Sequence, residues 1–135
     1  SVKKMSALAK EFHVHIVNGM AEKEEDILYN SQFFLDDTGV LLGTYRKVHL
    51  FDSEKNYFTP GDQFKVFDTK IGRIGLFICY DAFFPEAARS LAIQGVDLLV
   101  NSTNWEKPYD YDIAKQMKHD YYTMLTERRP DVYIA

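Results

Sequence analysis

Residues 73–86 read Arg-Ile-Gly-Leu-Phe-Ile-Cys-Tyr-Asp-Ala-Phe-Phe-Pro-Glu, an apolar run that ends on Cys79, the only cysteine of the chain. An uninterrupted apolar run of this length is typical of a strand that is buried on both faces. Pro85 suits the first turn of a helix, and the residues after it keep helical spacing as far as Gly95. The pattern predicts a strand, a sharp turn and a helix. It would project Cys79 into a cleft and aim the backbone N–H groups that follow it at the same space.

The rest of the chain predicts a mixture of helices and strands. Alternating β-branched and aromatic residues indicate the strands, and apolar residues at helical spacing indicate the helices. The crossover from residue 73 to residue 101 favours parallel pairing of its two strands. In chain order we expect a helix over 2–12, a strand over 13–20, a charged loop over 22–26, hairpin strands over 27–35 and 40–47, an irregular segment over 48–61, strands over 63–67 and 96–101, and a helix over 111–128. Together they predict a single α/β domain over residues 1–135.

Composition excludes several classes of partner. Sixteen basic and twenty acidic side chains give a formal charge of 16 − 20 = −4, and the basic residues are scattered, so we expect neither nucleic acid nor an anionic membrane surface as a partner. The longest apolar runs are too short to span a bilayer. One cysteine cannot form an internal disulfide, which favours a reducing, cytoplasmic setting.

Three polar residues lie at predicted strand ends or beside one, namely Lys47, Glu54 and Cys79. They have the parts that thiol-based acyl transfer needs, because a thiol must be helped to ionise and the oxyanion that it creates must be stabilised. Each also has a plain structural interpretation: a cysteine in an apolar strand is commonly an inert core residue, and the two charges suit a solvated surface. Spacing alone leaves both interpretations open.

A second catalytic arrangement uses the same cysteine. In it His49 is the base and either Asp81 or Asp52 orients the histidine, as in a Cys-His-Asp triad. The other histidines show no metal-ligand spacing with one another or with Cys79, so we expect no metal site. We expect no cofactor either.

Several short motifs, taken together, resemble the nitrilase superfamily of carbon–nitrogen hydrolases. They are Tyr-Arg-Lys-Val-His-Leu at 45–50, Glu-Lys-Asn-Tyr-Phe-Thr-Pro-Gly-Asp at 54–62, Gly-Arg-Ile-Gly at 72–75, Ile-Cys-Tyr-Asp at 78–81, Phe-Pro-Glu at 84–86 and Asn-Trp at 104–105. The resemblance runs in register from about residue 15 to residue 105. It implies a four-layer α-β-β-α sandwich of the nitrilase type, with two sheets face to face and helices outside, which this chain would contain in part.

The resemblance also implies roles by position. Cys79 matches the nucleophile that forms a thioester with the acyl part of an amide or nitrile, and Lys47 matches the lysine that stabilises the tetrahedral intermediate. Glu54 matches a second glutamate beside the lysine and the cysteine, and the backbone N–H of Tyr80 matches the second oxyanion donor. Two further matches, Asn104 and Trp105, belong to a loop that closes over the substrate pocket.

The resemblance sets further expectations for the whole protein. The family's general-base glutamate lies on an early strand upstream of the helix at Val2, so a longer protein would supply it, and Phe83 stands where many members have arginine. Tyr80-Asp81 after the cysteine resembles amidase-like branches, which favours a small-molecule amide or carbamoyl amide over a nitrile. The family implies a homo-oligomer, a dimer or larger. The competing interpretation is a catalytically incomplete domain that acts as a binding or assembly module.

Overall fold

The computed structural model describes residues 1–104 and 133–134, which fall into two compact units, Ser1–Gln63 and Phe64–Ala135. We call them the N-terminal unit and the C-terminal unit. The prediction of one domain over residues 1–135 stays a prediction. Trp105 and the helix expected over 111–128 lie outside the described residues.

The N-terminal unit is one helix and a three-stranded antiparallel sheet in the order β1-β2-β3. Its helix packs on one face of the sheet, where Ala9 is buried against Phe33 and Leu35. The helix ends at His13, whose φ of 53° lies in the left-handed region. The elements are α1 (Val2–Phe12), β1 (Ile16–Glu24), β2 (Ile27–Leu35), β3 (Leu41–Arg46) and a short 3₁₀ helix (Asp52–Asn56).

The charged residues at 22–26 are largely strand, so the loop predicted there is wrong. Strand β1 continues to Glu24 and turns through Glu25 and Asp26 into β2. Glu22 lies opposite Tyr29 and binds the Arg46 guanidinium through two hydrogen bonds of 2.6 and 3.0 Å. A charged residue suits a strand when the neighbouring strand supplies an opposite charge, and composition alone does not show this.

The C-terminal unit is a mixed sheet in the order β4-β5-β6-β7. Strand β5 pairs antiparallel with β4 and parallel with β6, and β6 pairs parallel with β7, so the predicted parallel crossover is confirmed. The elements are β4 (Val66–Thr69), β5 (Gly72–Ile78), a short 3₁₀ helix (Cys79–Phe83), α2 (Pro85–Ile93), β6 (Leu98–Ser102) and β7 (Tyr133–Ile134). Helix α2 starts at Pro85 as predicted, but the 3₁₀ helix that begins at Cys79 lies between β5 and α2.

Strand β5 is the centre of this unit. Its residues from Ile74 to Ile78 are buried, as the apolar run predicts. At Gly75 the covering helix and the neighbouring strand come so close that a Cβ atom would lie 2.9 Å from Leu99 and 3.2 Å from Leu91. The strand is thus fixed on its helix side before it reaches Cys79.

The two units confirm the α/β class expected from the sequence. No helix in residues 1–104 is long and apolar enough to cross a membrane.

Candidate active site

Lys47 is a buried charge that follows the last residue of β3. Only 2% of its side chain is exposed. Its backbone N–H donates to the carbonyl of Asn30 on β2 at 2.8 Å, and its carbonyl accepts from Gly61 at 2.8 Å. A Cβ at Gly61 would run into the carbonyl of Arg46, so the loop that returns from the 3₁₀ helix lies directly against the end of β3. The main chain of Lys47 is therefore held on both sides.

The structure brings Lys47 and Glu54 together, as the sequence resemblance implies. The Lys47 Nζ donates to Glu54 Oε2 at 2.7 Å. The same oxygen accepts from the Phe51 N–H at 2.7 Å, and the other carboxylate oxygen accepts from Asn30 Nδ2 at 2.8 Å. A buried ammonium needs such a partner, because an uncompensated charge inside a protein is costly.

The electrostatics keep Glu54 ionised. Partial burial on its own raises the pKa of Glu54, but the hydrogen bonds from Lys47 and Phe51, the positive charge of Lys47 and the bond from Asn30 outweigh it, so the pKa lies below its usual value. A carboxylate that accepts several charge-assisted or amide hydrogen bonds holds its negative charge at neutral pH. The pair is thus an ion pair with a fixed geometry.

Arg46 and Lys47 lie on opposite faces of the sheet. Arg46 faces the side of Ser31 and Glu22: its guanidinium binds Glu22 at 2.6 Å and Glu24 at 3.1 Å and lies 3.8 Å from the centre of the Tyr29 ring. Ser31 Oγ donates to the same Glu22 carboxylate at 2.6 Å. Consecutive side chains of a strand alternate between its faces, so this network anchors Arg46 on one side while Lys47 meets Glu54 on the other.

Cys79 lies in the C-terminal unit, at the end of β5. Its φ of 45° places a residue that is not glycine in the left-handed region. Such a conformation costs about 1–2 kcal/mol for an ordinary side chain and persists only where surrounding bonds impose it. The thiol is half-buried and forms no disulfide. This is the sharp turn that the sequence predicts after the buried strand.

Two side chains hold the main chain of that turn. Asp81 is fully buried and its Oδ2 accepts from the Ile78 N–H at 2.9 Å. Asn101, at the carboxyl end of the parallel strand β6, accepts from the Cys79 N–H through Oδ1 at 2.7 Å. Asn101 is not among the residues predicted from the sequence, although the predicted parallel pairing of β5 and β6 contained the signal, since the carboxyl ends of parallel strands meet at one sheet edge.

The remaining predicted residues are placed as follows. Tyr80 follows Cys79 in the 3₁₀ helix and its ring packs edge-on against Phe84 at 5.2 Å between centroids. Asn104 is exposed beyond the end of β6, and Trp105 lies outside the described residues. His49 and Asp52 belong to the N-terminal unit, whereas Asp81 is engaged by the backbone beside Cys79. Lys47 and Glu54 also belong to the N-terminal unit, so their approach to Cys79 stays a prediction.

In residues 1–104, no three histidine, cysteine, aspartate or glutamate side chains lie close enough together to hold a metal ion.

The chain resembles known proteins of one family. The carbon–nitrogen hydrolase family matches residues 1–124. A Schizosaccharomyces pombe protein named probable nitrilase is 48% identical over 123 residues, which cover 87% of this chain and 45% of that protein. The N-carbamoylputrescine amidase of Solanum lycopersicum is 45% identical over 108 residues, which cover 76% of this chain and 36% of the enzyme. The chain therefore belongs to the carbon–nitrogen hydrolase family, and it spans less than half the length of these relatives.

The fold is confirmed by a solved structure. The amidase of a Nesterenkonia species superposes with a TM-score of 0.84, with 22% sequence identity, over 92% of this chain and 48% of the amidase. The chain thus has part of the α/β fold of the nitrilase superfamily, as the motifs of the sequence imply.

Proposed function

We propose that the protein containing this chain hydrolyses a non-peptide C–N bond, in an amide or carbamoyl amide of a small molecule, through a thioester on Cys79. The observation that carries the proposal is the conformation of Cys79, a half-buried thiol held at φ 45° where a buried strand ends. Backbone strain of this kind concentrates at functional sites, since a structure retains it only at a cost.

The proposed reaction has two halves. The Cys79 thiol gives its proton to a general base and its sulfur attacks the carbonyl carbon, so that a C–S bond forms and the carbonyl oxygen becomes an oxyanion. The intermediate then collapses, the C–N bond breaks, and the nitrogen leaves as ammonia or an amine after it receives a proton. Water next attacks the thioester, releasing the acid and restoring the thiol. The proton transfers need a general base, and the family resemblance assigns that role to a glutamate upstream of Val2.

Lys47 supplies the positive charge for this chemistry. Its ammonium would stabilise the oxyanion together with the Tyr80 N–H, and Glu54 would hold that ammonium in place. The support for this role is the burial of Lys47 and its 2.7 Å bond to a carboxylate with a lowered pKa. A cation fixed in advance in a site with little water stabilises a developing negative charge better than a mobile one does.

The amide class is favoured over the nitrile class. The support is Tyr80-Asp81 after the nucleophile, which resembles the amidase-like branches. The names of the relatives divide between the two classes, since the protein at 48% identity is named probable nitrilase and the one at 45% identity N-carbamoylputrescine amidase. Asn104 and Trp105 are proposed to contribute to the loop over the substrate. A reducing, cytoplasmic location accords with a thiolate nucleophile, which is lost on oxidation. A homo-oligomer, a dimer or larger, is part of the same proposal.

Trapping of the acyl-enzyme tests the proposal. The full-length protein is incubated with a small carbamoyl amide or aliphatic amide, quenched in acid and analysed by mass spectrometry. We expect the peptide with Cys79 to carry the mass of the acyl group, and the Cys79→Ala variant to lack both the adduct and the turnover. Turnover retained in Cys79→Ala would exclude this mechanism. The absence of both adduct and turnover for every amide and nitrile tried would favour a binding or assembly module.

A further inference from the structure

The Cys79 amide is bound by a side chain from another strand, not by the main chain of the sheet. Strand β5 pairs with β6 as far as Ile78, which lies opposite Ser102. At Cys79 the chain leaves the sheet, and the N–H that β6 would otherwise satisfy donates to Asn101 Oδ1 at 2.7 Å. We propose that Asn101 is a positioning residue for the nucleophile, and that its side-chain carbonyl keeps Cys79 in the left-handed conformation that presents the thiol. This inference rests on the proposed function and deepens it.

Two bonds on successive amides define the turn. The Ile78 N–H is bound by Asp81, three residues further along the same chain, and the Cys79 N–H by Asn101, twenty-two residues away. The Asp81 bond is local and closes the 3₁₀ turn on itself. The Asn101 bond ties that turn to the neighbouring strand, so it sets the direction in which the turn leaves the sheet.

The bond has a consequence for the oxyanion site. An N–H that already donates to Asn101 at 2.7 Å is not directed at the substrate. Asn101 therefore removes the Cys79 amide from the set of possible oxyanion donors and leaves that role to the next amide, that of Tyr80.

Two substitutions separate positioning of the thiol from general support of the fold. Asn101→Leu keeps a similar volume and removes the acceptor, so the Cys79 amide loses its partner and the left-handed turn loses its tether. Asn101→Asp keeps the acceptor and the shape but adds a negative charge beside the thiol. A nearby negative charge disfavours the thiolate, so alkylation of Cys79 in this variant requires a higher pH. Gln94→Leu is the matched control, an exposed amide of the same unit whose side chain bonds to Ser90.

The experiment uses the full-length protein, and the iodoacetamide adduct of Cys79 is located by mass spectrometry of the proteolytic peptide that contains it. The rate of alkylation is measured against pH, and exchange of the Cys79 amide hydrogen is followed by NMR. We expect slow exchange in the unsubstituted protein and in Gln94→Leu. In Asn101→Leu we expect exchange of the order of tenfold faster or more, together with a severalfold slower alkylation. Asn101→Asp should keep the slow exchange and move the pH midpoint of alkylation upward.

Each contrary outcome has a distinct meaning. Rapid exchange of the Cys79 amide in the unsubstituted protein, or equal alkylation and exchange in Asn101→Leu, overturns the role of Asn101. Fast exchange of the Cys79 amide in Asn101→Asp, which keeps the acceptor, also overturns it, and this variant remains informative if Asn101→Leu does not fold. An unsubstituted Cys79 that reacts no faster than free cysteine would instead count against the proposed nucleophile, whatever the exchange shows.

Discussion

Lys47 and Glu54 form a 2.7 Å ion pair in which the lysine is 2% exposed and the glutamate about one quarter exposed. Glu54 is the seventh residue after Lys47, and the 3₁₀ helix at 52–56 folds the chain back so that the carboxylate meets the ammonium. The pair thus has two roles: it compensates a buried charge, and it holds the ammonium that the proposed reaction uses.

Glu54→Gln is expected to lower the free energy of unfolding at pH 7 by about 3 kcal/mol, because it leaves the Lys47 ammonium buried without its counter-charge. The folded-state pKa of Glu54 is below its usual value, so the stabilisation from its ionised form is present above the unfolded pKa and is lost as the pH falls through the folded one. The difference between the two proteins should therefore shrink in acid. Urea unfolding at pH 7 and in steps towards pH 3.5 measures both effects.

Asp68→Asn is the control for that experiment. Asp68 pairs with Arg73 at 2.6 Å, but its side chain is 76% exposed. Exposed pairs of this kind contribute little to stability, so we expect Asp68→Asn to cost much less than Glu54→Gln. An equal loss of stability in the two variants would show that burial does not distinguish the Lys47 pair.

Lys47→Met tests the oxyanion role in the full-length protein. Methionine keeps much of the length of lysine and removes its charge, so we expect kcat to fall by about 10²–10³-fold while KM changes little. Lys55→Met is the control, because Lys55 is an exposed lysine of the nearby 3₁₀ helix. An effect of Lys47→Met that is confined to KM would assign Lys47 to substrate binding.

Gly61→Ala should destabilise the chain by about 1–3 kcal/mol, because the new methyl group meets the backbone carbonyl of Arg46 and one of the two segments must move. That movement would also disturb the bond from the Gly61 N–H to Lys47. Gly19→Ala is the matched control, since a Cβ there lies 3.9 Å from its nearest neighbour, an ordinary contact. Equal unfolding midpoints for the two variants in urea would contradict the close approach at Gly61.

Cys79→Gly should be more stable than Cys79→Ala by about 1 kcal/mol, because glycine adopts a φ of 45° without the steric cost that alanine meets. The exposed helical position Arg89 supplies the opposite expectation: Arg89→Ala should be more stable than Arg89→Gly by about 1 kcal/mol. Chemical denaturation gives the free energy of unfolding of the four variants, and the two differences are compared. If alanine were the better residue at both positions, Cys79 would not be strained.

Gln32→Met should stabilise the N-terminal unit by about 1–2 kcal/mol. Gln32 is fully buried on β2, and neither its Oε1 nor its Nε2 has a hydrogen-bond partner within the described part of the chain. Removing an unsatisfied polar group while keeping its volume recovers the cost of its desolvation. A loss of stability, measured by urea unfolding, would reveal a bound partner such as water. Asn30→Met should be destabilising by contrast, because Asn30 binds Glu54.

The sequence predicts the elements of this fold better than it predicts the interactions of the site. The apolar run before Cys79 and the proline after it define β5 and α2, because burial and the fixed φ of proline act locally. The charged segment at 22–26 is misassigned, since its strand depends on Arg46, twenty-four residues from Glu22. Long-range pairing of that kind leaves little trace in local composition.

The same contrast holds within the candidate site. Position and resemblance single out Lys47, Glu54 and Cys79. Their partners are harder to find. Asn30 leaves no pattern of its own, because an asparagine in a strand has no periodicity, and Asn101 is indicated only through the parallel pairing of β5 and β6. The left-handed backbone of Cys79 likewise follows from the exit of the chain from the sheet, which the residue type does not encode.

The anchoring of Arg46 has a consequence for the register of β3. Two cations stand next to each other at the end of that strand, and a slip of one residue would exchange their faces, sending lysine towards Glu22 and arginine towards Glu54. Lysine cannot reproduce the two hydrogen bonds that Arg46 makes to Glu22 or its stacking on Tyr29. The slipped pairing therefore lacks these contacts and is less stable. The network around Arg46 thus stabilises one strand register, the one in which an ammonium, and not a guanidinium, lies next to Glu54.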